Sequence, residues 1–393
     1  MRFEAEVAVT PAERAKNPNL PKMKRLEIVK SVSGFAPPGL ATFIMGSSGA
    51  GKTSLLNILA DRVTSATNTW LSGNILLNDE VPVNKETFQK YCGYVQQDDV
   101  LFSTFTVIEA LTFAARLKLK TTEAEQDAHV QKIIEDLGMS KIATSMIGDV
   151  HRKVLSGGER KRCSIGVELV SDPSVILLDE PTSGLDSFKA RSICELLHKL
   201  AREKGKTIVS TIHSPSSEAF FFFDRLILMA DGNIVYQGDA KASVKYFEGI
   251  GMPVPRFANP ADFFMKVLSI KYPKEQEDLD KLEKLNRSYR TMNDRMVKAE
   301  SRMVRLEAPA WQGADAINHK ASTKVQLDQL MARSWILAKR EPRLSRAKLL
   351  QTFIVGVLMV GAFWQVNDYS DIEVQDMAGA IYFMTIVQMF LNF

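Results

Sequence analysis

The chain has 393 residues, 45% of them hydrophobic, with three cysteines and a formal net charge of +4. This length allows two or three domains, so no single motif has to account for all of it. The charge is too dilute for a nucleic-acid interface, which needs concentrated basic residues. The cysteines are odd in number and lack ligand spacing, which indicates reduced, structural thiols. We therefore expect no nucleic-acid partner and a cytosolic setting for the thiols.

From about residue 25 to residue 240, short β-type runs alternate with helical patterns. This alternation is typical of a parallel sheet with helices on its faces. The clearest buried strands are predicted at 41–45, 174–178 and 207–212. Between them, residues 102–167 carry helical periodicity and no strong strand, which predicts a helical subdomain inserted into the α/β core.

The first of these strands leads into a glycine-rich loop, GSSGAGKT. The pattern G-x-x-x-x-G-K-T between a strand and a helix is typical of a phosphate-binding loop, and a turn that binds nothing is the alternative. Backbone N–H groups and the helix N-terminus would cradle phosphate. Lys52 is predicted to reach the β- and γ-phosphates, and the Thr53 hydroxyl to bind Mg²⁺. The predicted nucleotide-binding residues are Gly46, Ser47, Ser48, Gly49, Ala50, Gly51, Lys52, Thr53 and Ser54.

Two later strand ends carry side chains suited to nucleotide hydrolysis. Asp179 and Glu180 follow the strand at 174–178. A carboxylate beside the phosphate loop supplies the hard oxygen that Mg²⁺ prefers, so Asp179 is a predicted metal ligand. Glu180 is predicted to act as the catalytic base that activates the attacking water. His213 ends the strand at 207–212, at the same sheet edge, and is predicted to hydrogen-bond the γ-phosphate; a structural histidine is the alternative.

Beyond Gly238 the sequence is rich in proline and aromatic residues, and over 271–325 it carries charges of both signs. We interpret 271–325 as a solvated linker with some helix. The next segment, 326–347, contains MARSWILAKR, in which apolar residues lie beside basic ends. It is predicted to form a connecting helix at the cytosolic membrane interface, with a soluble packing helix as the alternative.

The C-terminal segment 348–393 is predicted to begin a transmembrane domain. Residues 349–366 contain no charged side chain, are long enough to cross a bilayer core, and are flanked by basic residues before and acidic residues after. The positive-inside rule then puts residue 348 in the cytosol. A second apolar run starts at Met377 and is still in progress at Phe393. A buried core helix is the alternative for the first run, and no signal peptide is visible at the N-terminus.

The stretch LSGGE, Leu155–Glu159, resembles the signature motif of ATP-binding cassette (ABC) ATPases, and the order of the other motifs matches that family. Residues 46–53 are similar to its Walker A loop and Gln97 to its Q-loop glutamine. Asp179 and Glu180 resemble Walker B and the following glutamate, residues 183–186 the D-loop, and His213 the switch histidine. The resemblance implies catalytic and metal-binding roles for Gln97, and ATP contacts from Ser156, Gly157, Gly158, Glu159 and Asp186.

In that family the signature residues contact ATP bound to the opposite subunit, so the resemblance implies that two cassettes close face to face. A serine hydroxyl, glycine N–H groups and a helix start would form a second anion cradle. The cassette precedes the apolar segments here, and SGGERKR, VYQGDA, NPADFF and KREPRLSRAKLLQT closely resemble the G subfamily, the white/pleiotropic-drug-resistance type half-transporters.

This resemblance implies an α/β fold in which 1–270 form a P-loop ABC-type nucleotide-binding domain with a β subdomain. A linker and the start of an α-helical membrane domain would follow, and the chain would end within that domain. The implied cofactors are ATP and Mg²⁺. The implied partners are a second half-transporter, as a homo- or heterodimer, membrane lipid and a hydrophobic small-molecule substrate.

The function so implied is ATP hydrolysis that powers export of lipid-like, sterol or xenobiotic molecules by a multi-pass membrane protein with a cytosolic cassette. One alternative is a soluble cassette ATPase acting on nucleic acid or ribosomes, which predicts a second cassette or coiled-coil arms. Another is a small-molecule kinase, which leaves LSGGE and His213 without a role.

Three features depart from the family pattern. No clear match exists for the aromatic residue that usually stacks on adenine; Phe3 is the nearest candidate, and we expect that it does not stack. Lys153 and Val154 stand where relatives often have Arg-Gly, and Ser47 stands where proline is common. Because the backbone of the loop does the binding, Ser47 is a mild change.

Overall fold

The computed structural model describes residues 1–8, 23–63, 69–148, 154–270, 275–293, 297, 299–300, 321–362, 379 and 382. The chain divides into two units, Met1–Val325 and Gln326–Phe393. The strands, in chain order, are β1 (Arg2–Ala8), β2 (Met23–Val29), β3 (Ala41–Gly46), β4 (Thr69–Ser72), β5 (Leu76–Leu77), β6 (Val81–Pro82), β7 (Cys92–Val95), β8 (Val175–Leu178), β9 (Thr207–Thr211), β10 (Arg225–Ala230) and β11 (Asn233–Asp239).

The helices divide between the two units of the chain. Those of the first unit are α1 (Lys52–Leu59), α2 (Lys85–Tyr91), α3 (Val107–Lys118), α4 (Glu123–Asp136), α5 (Gly157–Leu169), α6 (Ser187–Lys204), α7 (Ser217–Phe220), α8 (Ala242–Gly249), α9 (Pro260–Leu268) and α10 (Gln276–Ser288). Helix α11 (Thr323–Arg340) starts at the end of the first unit, and α12 (Pro342–Ala362) lies in the second.

A six-stranded sheet in the order β11-β10-β3-β9-β8-β7 forms the centre of the first unit. Strands β7, β8, β9, β3 and β10 pair in parallel, and β11 adds to the edge in antiparallel direction. Every residue of β3 is buried, as expected for a central strand covered on both faces. The strands predicted at 41–45, 174–178 and 207–212 are β3, β8 and β9 in this sheet, so the predicted parallel core is confirmed.

A small antiparallel sheet in the order β2-β1-β4 covers part of the first unit. In this sheet β1 pairs with both neighbours. Phe3 of β1 is buried with Val29, Ile44 and Leu56 in one apolar cluster. This sheet is the β subdomain that the sequence predicts.

The segment 102–167 contains α3, α4 and most of α5, and its described residues include no strand apart from an isolated bridge between Thr106 and Met146. Each of these helices starts with a capping box, in which a Ser or Thr accepts from the N3 backbone and a Glu side chain returns the bond. Two donors at each helix start are satisfied in this way. Local sequence therefore fixes where these helices begin.

The charged stretch differs from the solvated linker that the sequence suggests. Leu282 and Leu285 of α10 are buried, and Tyr289 in the π-helical turn that follows is buried as well. The spacing of these apolar residues puts them on one helix face, which packs on the first unit. Further along, Glu300 pairs with Arg225 of β10. The described part of this stretch is thus attached to the cassette; residues 271–274, 294–296, 298 and 301–320 lie outside the described residues.

Helix α11 ends at Arg340 and α12 begins at Pro342, so the helix break falls earlier than the predicted boundary at 347. Proline lacks an N–H and disfavours helical geometry in the residue before it, which explains the position of the break. Trp335 and Met331 of α11 are exposed.

Among the residues that the structure describes, no helix has both the length and the apolar character needed to cross a membrane. Residues 363–366 of the first predicted span and almost all of the second apolar run lie outside the described residues. Both spans stay predictions.

Candidate nucleotide-binding site

The predicted phosphate loop connects β3 to α1 at the centre of the large sheet. A Cβ at Gly46 would overlap the carbonyl oxygen of Met229. Gly51 has a φ of 94°, and a Cβ there would come within 2.9 Å of the carbonyl oxygen of Ile28. Only glycine fits these two positions, because the backbone of the neighbouring strands lies so close to the loop.

Lys52 starts α1 and is buried. Its Nζ donates to the carbonyl oxygen of Gly46 at 2.8 Å and to that of Ser47 at 3.1 Å. Burial lowers the pKa of Lys52, and the nearby carboxylates of Glu180 and Asp179 oppose this shift. Its two hydrogen bonds place the ammonium group of Lys52 against the start of the predicted phosphate loop.

Asp179 follows β8 and is buried beside the loop. Its Oδ1 accepts a hydrogen bond from the Thr53 hydroxyl at 3.1 Å and another from the Thr211 hydroxyl at 2.7 Å. Hydroxyl and carboxylate oxygens are suitable ligands for Mg²⁺, which usually takes one or two protein ligands together with phosphate and water. Among the described residues, no group of three or more His, Cys, Asp or Glu side chains could hold a metal ion. A magnesium ion bound mainly by phosphate and water does not need such a group. Thr53 and Asp179 therefore fit a magnesium ion.

Glu180 has a φ of 41°, in the left-handed region that few non-glycine residues adopt. Its backbone N–H donates to the Thr211 hydroxyl at 2.8 Å. The Nε2 of Gln97 donates to Oε2 of Glu180 at 3.3 Å. The structure thus brings together the two residues predicted as catalytic base and Q-loop glutamine. The role of Gln97 as a ligand of Mg²⁺ stays a prediction.

A polar cleft of about 510 Å³ opens beside Glu180. His213 lies on its wall and is exposed, with the Ser214 hydroxyl 3.3 Å from Nδ1. D-loop residues and the start of α9 line the other sides. Glu180 and His213 therefore line one cleft, and their roles as base and γ-phosphate contact stay predictions.

The signature residues lie at the start of α5. Ser156 caps this helix: its Oγ accepts from the Glu159 N–H at 3.4 Å, and its own N–H donates to Oε2 of Glu159 at 2.8 Å. Gly157 lies so close to the D-loop that a Cβ would be 2.9 Å from Leu185. Asp186 caps α6 through the Lys189 N–H at 2.9 Å. The predicted ATP contacts of Ser156, Gly157, Gly158, Glu159 and Asp186 remain predictions.

Sequence reasoning missed two residues of this region, Thr211 and Lys161. Thr211 bridges the side chain of Asp179 and the backbone of Glu180. The pairing of β8 with β9 places it there, and a single sequence does not specify that register. Lys161 donates to the carbonyl oxygens of Gln96 and Gln97.

Two departures from the family pattern can be located in the structure. Phe3, which we do not expect to stack on adenine, is buried in the apolar cluster that it shares with Ile44 and Leu56. Val154 is exposed, and Lys153 lies outside the described residues.

The fold and the site define a class. A phosphate loop on a central parallel strand, a strand-end carboxylate against its threonine and a helical insertion are together typical of a P-loop nucleotide-binding domain. Residues 29–183 match the family described as "ABC transporter". Residues 213–355 and 325–393 match two families that are both described as "ABC-2 type transporter".

Comparison with individual proteins also finds similarity to ABC transporters. The chain is 37% identical over 372 residues to "Protein white" of Drosophila melanogaster, covering 94% of this chain and 54% of that protein. It is 35% identical over 387 residues to "Broad substrate specificity ATP-binding cassette transporter ABCG2" of Mus musculus, covering 93% of this chain and 58% of that protein. The chain thus spans little more than half the length of these relatives.

Among solved structures, CbiO1 of Clostridium perfringens, described as part of an ABC transporter complex, is similar with a TM-score of 0.50 and 26% identity. The similarity covers 63% of this chain and 92% of that one. The chain belongs to the ABC transporter family, in its G-type half-transporter group, and residues 29–183 form its ABC-type ATPase domain.

Proposed function

We propose that this chain binds and hydrolyses ATP and that, as part of a G-type half-transporter, it powers export of a lipid-like, sterol or xenobiotic molecule across a membrane. The observation that carries the ATPase proposal is the contact of the Asp179 carboxylate with the Thr53 hydroxyl at 3.1 Å, with Glu180 next in the chain. This contact joins the phosphate loop to the strand end that carries the base. The matches to ABC-2 type transporters favour this function over a soluble ATPase acting on nucleic acid or ribosomes.

Each residue of the site has a distinct task in this proposal. The N–H groups of residues 46–54 and the ammonium of Lys52 bind the phosphates. Thr53 and Asp179 would hold Mg²⁺, which when bound supplies charge neutralisation at the phosphate oxygens. The carboxylate of Glu180 takes the proton of the attacking water, and Gln97 keeps that carboxylate oriented through its amide. The imidazole of His213 hydrogen-bonds the γ-phosphate from the cleft wall.

The substrate and the partner extend this proposal to the whole transporter. The mouse relative is named for broad substrate specificity, which supports a cargo site here that accepts more than one molecule. The signature residues at the start of α5 would contact ATP held by a second half-transporter, either another copy of this chain or a related one. The site would then be complete only in a closed dimer within a membrane.

The test compares the ATPase activity of the full-length protein in lipid nanodiscs with that of Glu180→Gln. The amide keeps the shape of the side chain but cannot accept the proton, so we expect kcat to fall at least about 100-fold. We also expect the variant to bind ATP and to accumulate as a dimer in size-exclusion chromatography. Glu203→Gln, on the exposed end of α6, makes the same chemical change away from the site and should keep full activity.

Two results would contradict the proposal. If Glu180→Gln hydrolyses ATP as fast as the wild type, Glu180 is not the base. If the wild type has no activity that depends on Glu180 at saturating ATP, the chain is not the proposed ATPase. Transport is tested separately, by ATP-dependent movement of labelled sterol and of a hydrophobic dye into inside-out vesicles.

A further inference from the structure

Lys161 lies in the second turn of α5 and is buried, with only 3% of its side chain exposed. Its Nζ donates to the carbonyl oxygen of Gln97 at 2.9 Å and to that of Gln96 at 3.2 Å. The same nitrogen lies 2.6 Å from Oδ1 of Asp99. Two hydrogen bonds to carbonyl groups and one ion pair thus hold the ammonium group in place.

Folding alone does not explain a lysine at this position. Lysines are almost never fully buried unless they are paired, and the desolvation cost of a buried ion pair often exceeds its attraction. An apolar side chain of similar length would support the same helix packing at less cost. The position therefore favours a role in which the contact with the backbone around Gln97 matters for activity.

The contacts of Lys161 connect two parts of the ATPase site. On one side, the backbone that it holds carries Gln97, whose amide donates to Glu180 at 3.3 Å. On the other side, α5 begins at the signature motif, with Ser156 as its N-cap. Lys161 therefore links the helix that begins at the signature motif to the backbone of Gln97.

We propose that Lys161, paired with Asp99, is a positioning residue that fixes Gln97 against the catalytic base and makes its position depend on the signature helix. This inference rests on the proposed ATPase function. In a closed dimer, the signature motif that contacts one ATP would thereby set the geometry at the other ATP. The Nζ of Lys161 contacts Gln96, Gln97 and Asp99, so Lys161 acts through Gln97 in this proposal and not on the nucleotide.

The experiment measures ATPase kinetics of full-length Lys161→Met in nanodiscs. Methionine fills a similar volume but donates no hydrogen bond, so Gln97 loses its anchor. We expect kcat to fall about 10- to 100-fold, as misplacement of a catalytic group does, while KM for ATP changes less than about twofold. Lys118→Met is the matched control, because Lys118 also binds α5, through the carbonyl oxygen of Val167 and Glu168, but not the Gln97 segment. It should keep the wild-type kcat.

A double variant that combines Lys161→Met with Gln97→Ala distinguishes a positioning role of Lys161 from a merely structural one. If Lys161 acts through the Gln97 amide, adding Lys161→Met to Gln97→Ala should lower kcat little further. If instead the two losses multiply, or if Lys161→Met retains the wild-type kcat, the inference is overturned. Loss of activity in Glu180→Gln but not in Lys161→Met would leave the proposed ATPase function intact and remove only this inference.

Removing Lys161 alone leaves Asp99 buried without its partner, which can prevent folding. The double variant Lys161→Met with Asp99→Asn removes both charges and still lacks the anchor. We expect it to unfold near the wild-type temperature and to show the same reduced kcat. Wild-type kcat in this double variant would also overturn the inference.

Discussion

Thr211 holds two groups of the site with a single hydroxyl. The hydroxyl donates to the carboxylate of Asp179 and accepts from the backbone N–H of Glu180. It thus fixes a predicted metal ligand and the backbone of the predicted base, which adopts a left-handed conformation. Thr211 is fully buried, so water cannot replace these bonds.

We expect Thr211→Val to lower kcat for ATP hydrolysis about 10- to 100-fold. Valine has the same shape, so the loss is that of hydrogen bonds near a charged group, which contribute about 1.5–3 kcal/mol, and this range converts to that change in rate. Steady-state ATPase assays on purified protein measure the effect. KM for ATP should change less, because the phosphate loop is untouched.

Two variants serve as controls for Thr211→Val. Thr211→Ser keeps the hydroxyl and should retain most of the activity. Thr42→Val makes the same substitution in the neighbouring strand β3, where the buried hydroxyl has no hydrogen-bond partner among the described residues. It should leave kcat unchanged and leave the melting temperature equal or higher. Equal activity of Thr211→Val and Thr42→Val would show that the bridge has no catalytic importance.

Site residues that stand in local sequence motifs can be predicted from the sequence, whereas those that act on distant residues cannot. Gly46, Lys52 and Asp179 stand in motifs whose chemistry follows from neighbours in the chain, and the structure brings them together. Thr211 and Lys161 act on residues far away in sequence. Their roles depend on strand register and on helix packing, which a single sequence does not specify.

At the scale of secondary-structure elements, continuous apolar runs predict the buried strands best. Strand β3 is buried throughout and was predicted nearly to the residue. Strands β5 and β6 have two residues each, too few for any periodicity to appear. The sequence predicts a solvated linker where helix α10 forms, because charged residues dominate its composition. Its buried apolar residues, Leu282 and Leu285, lie at helical spacing on one narrow face, and that face is the one that packs.

We expect Leu285→Ala in α10 to destabilise the cassette by about 2–4 kcal/mol. Leu285 is fully buried, so truncation removes apolar contacts and leaves a cavity. Thermal unfolding of the purified protein measures the change. Leu279→Ala is the matched control on the same helix, since Leu279 is 44% exposed, and it should cost less than about 1 kcal/mol. Equal melting temperatures for the two variants would mean that α10 is not part of the cooperative unit.

At the scale of the whole molecule, the sequence predicted reduced structural thiols, and their positions have consequences for stability. Cys92, Cys163 and Cys194 are buried and free, in β7, α5 and α6. Burial raises the pKa of each thiol from 9.0 to about 12. Thiolate is the reactive form, so the folded protein should react slowly with iodoacetamide at pH 8, and the denatured protein quickly at all three cysteines.

The same shift predicts the direction of the pH dependence of stability. Between pH 9 and pH 12 each thiol keeps its proton in the folded chain and loses it in the unfolded chain. The folded state then binds more protons, so the free energy of unfolding is constant below pH 9 and falls above it, by about 1.4 kcal/mol per pH unit for each thiol.

Other groups titrate in this range, so the contribution of one thiol must be measured separately from theirs. Cys194→Ala does this: the stability difference between wild type and variant, measured by denaturant unfolding, should shrink by about 1.4 kcal/mol between pH 8 and pH 10. A difference that stays constant over this range would show that Cys194 titrates alike in both states, and so that α6 does not shield it from water.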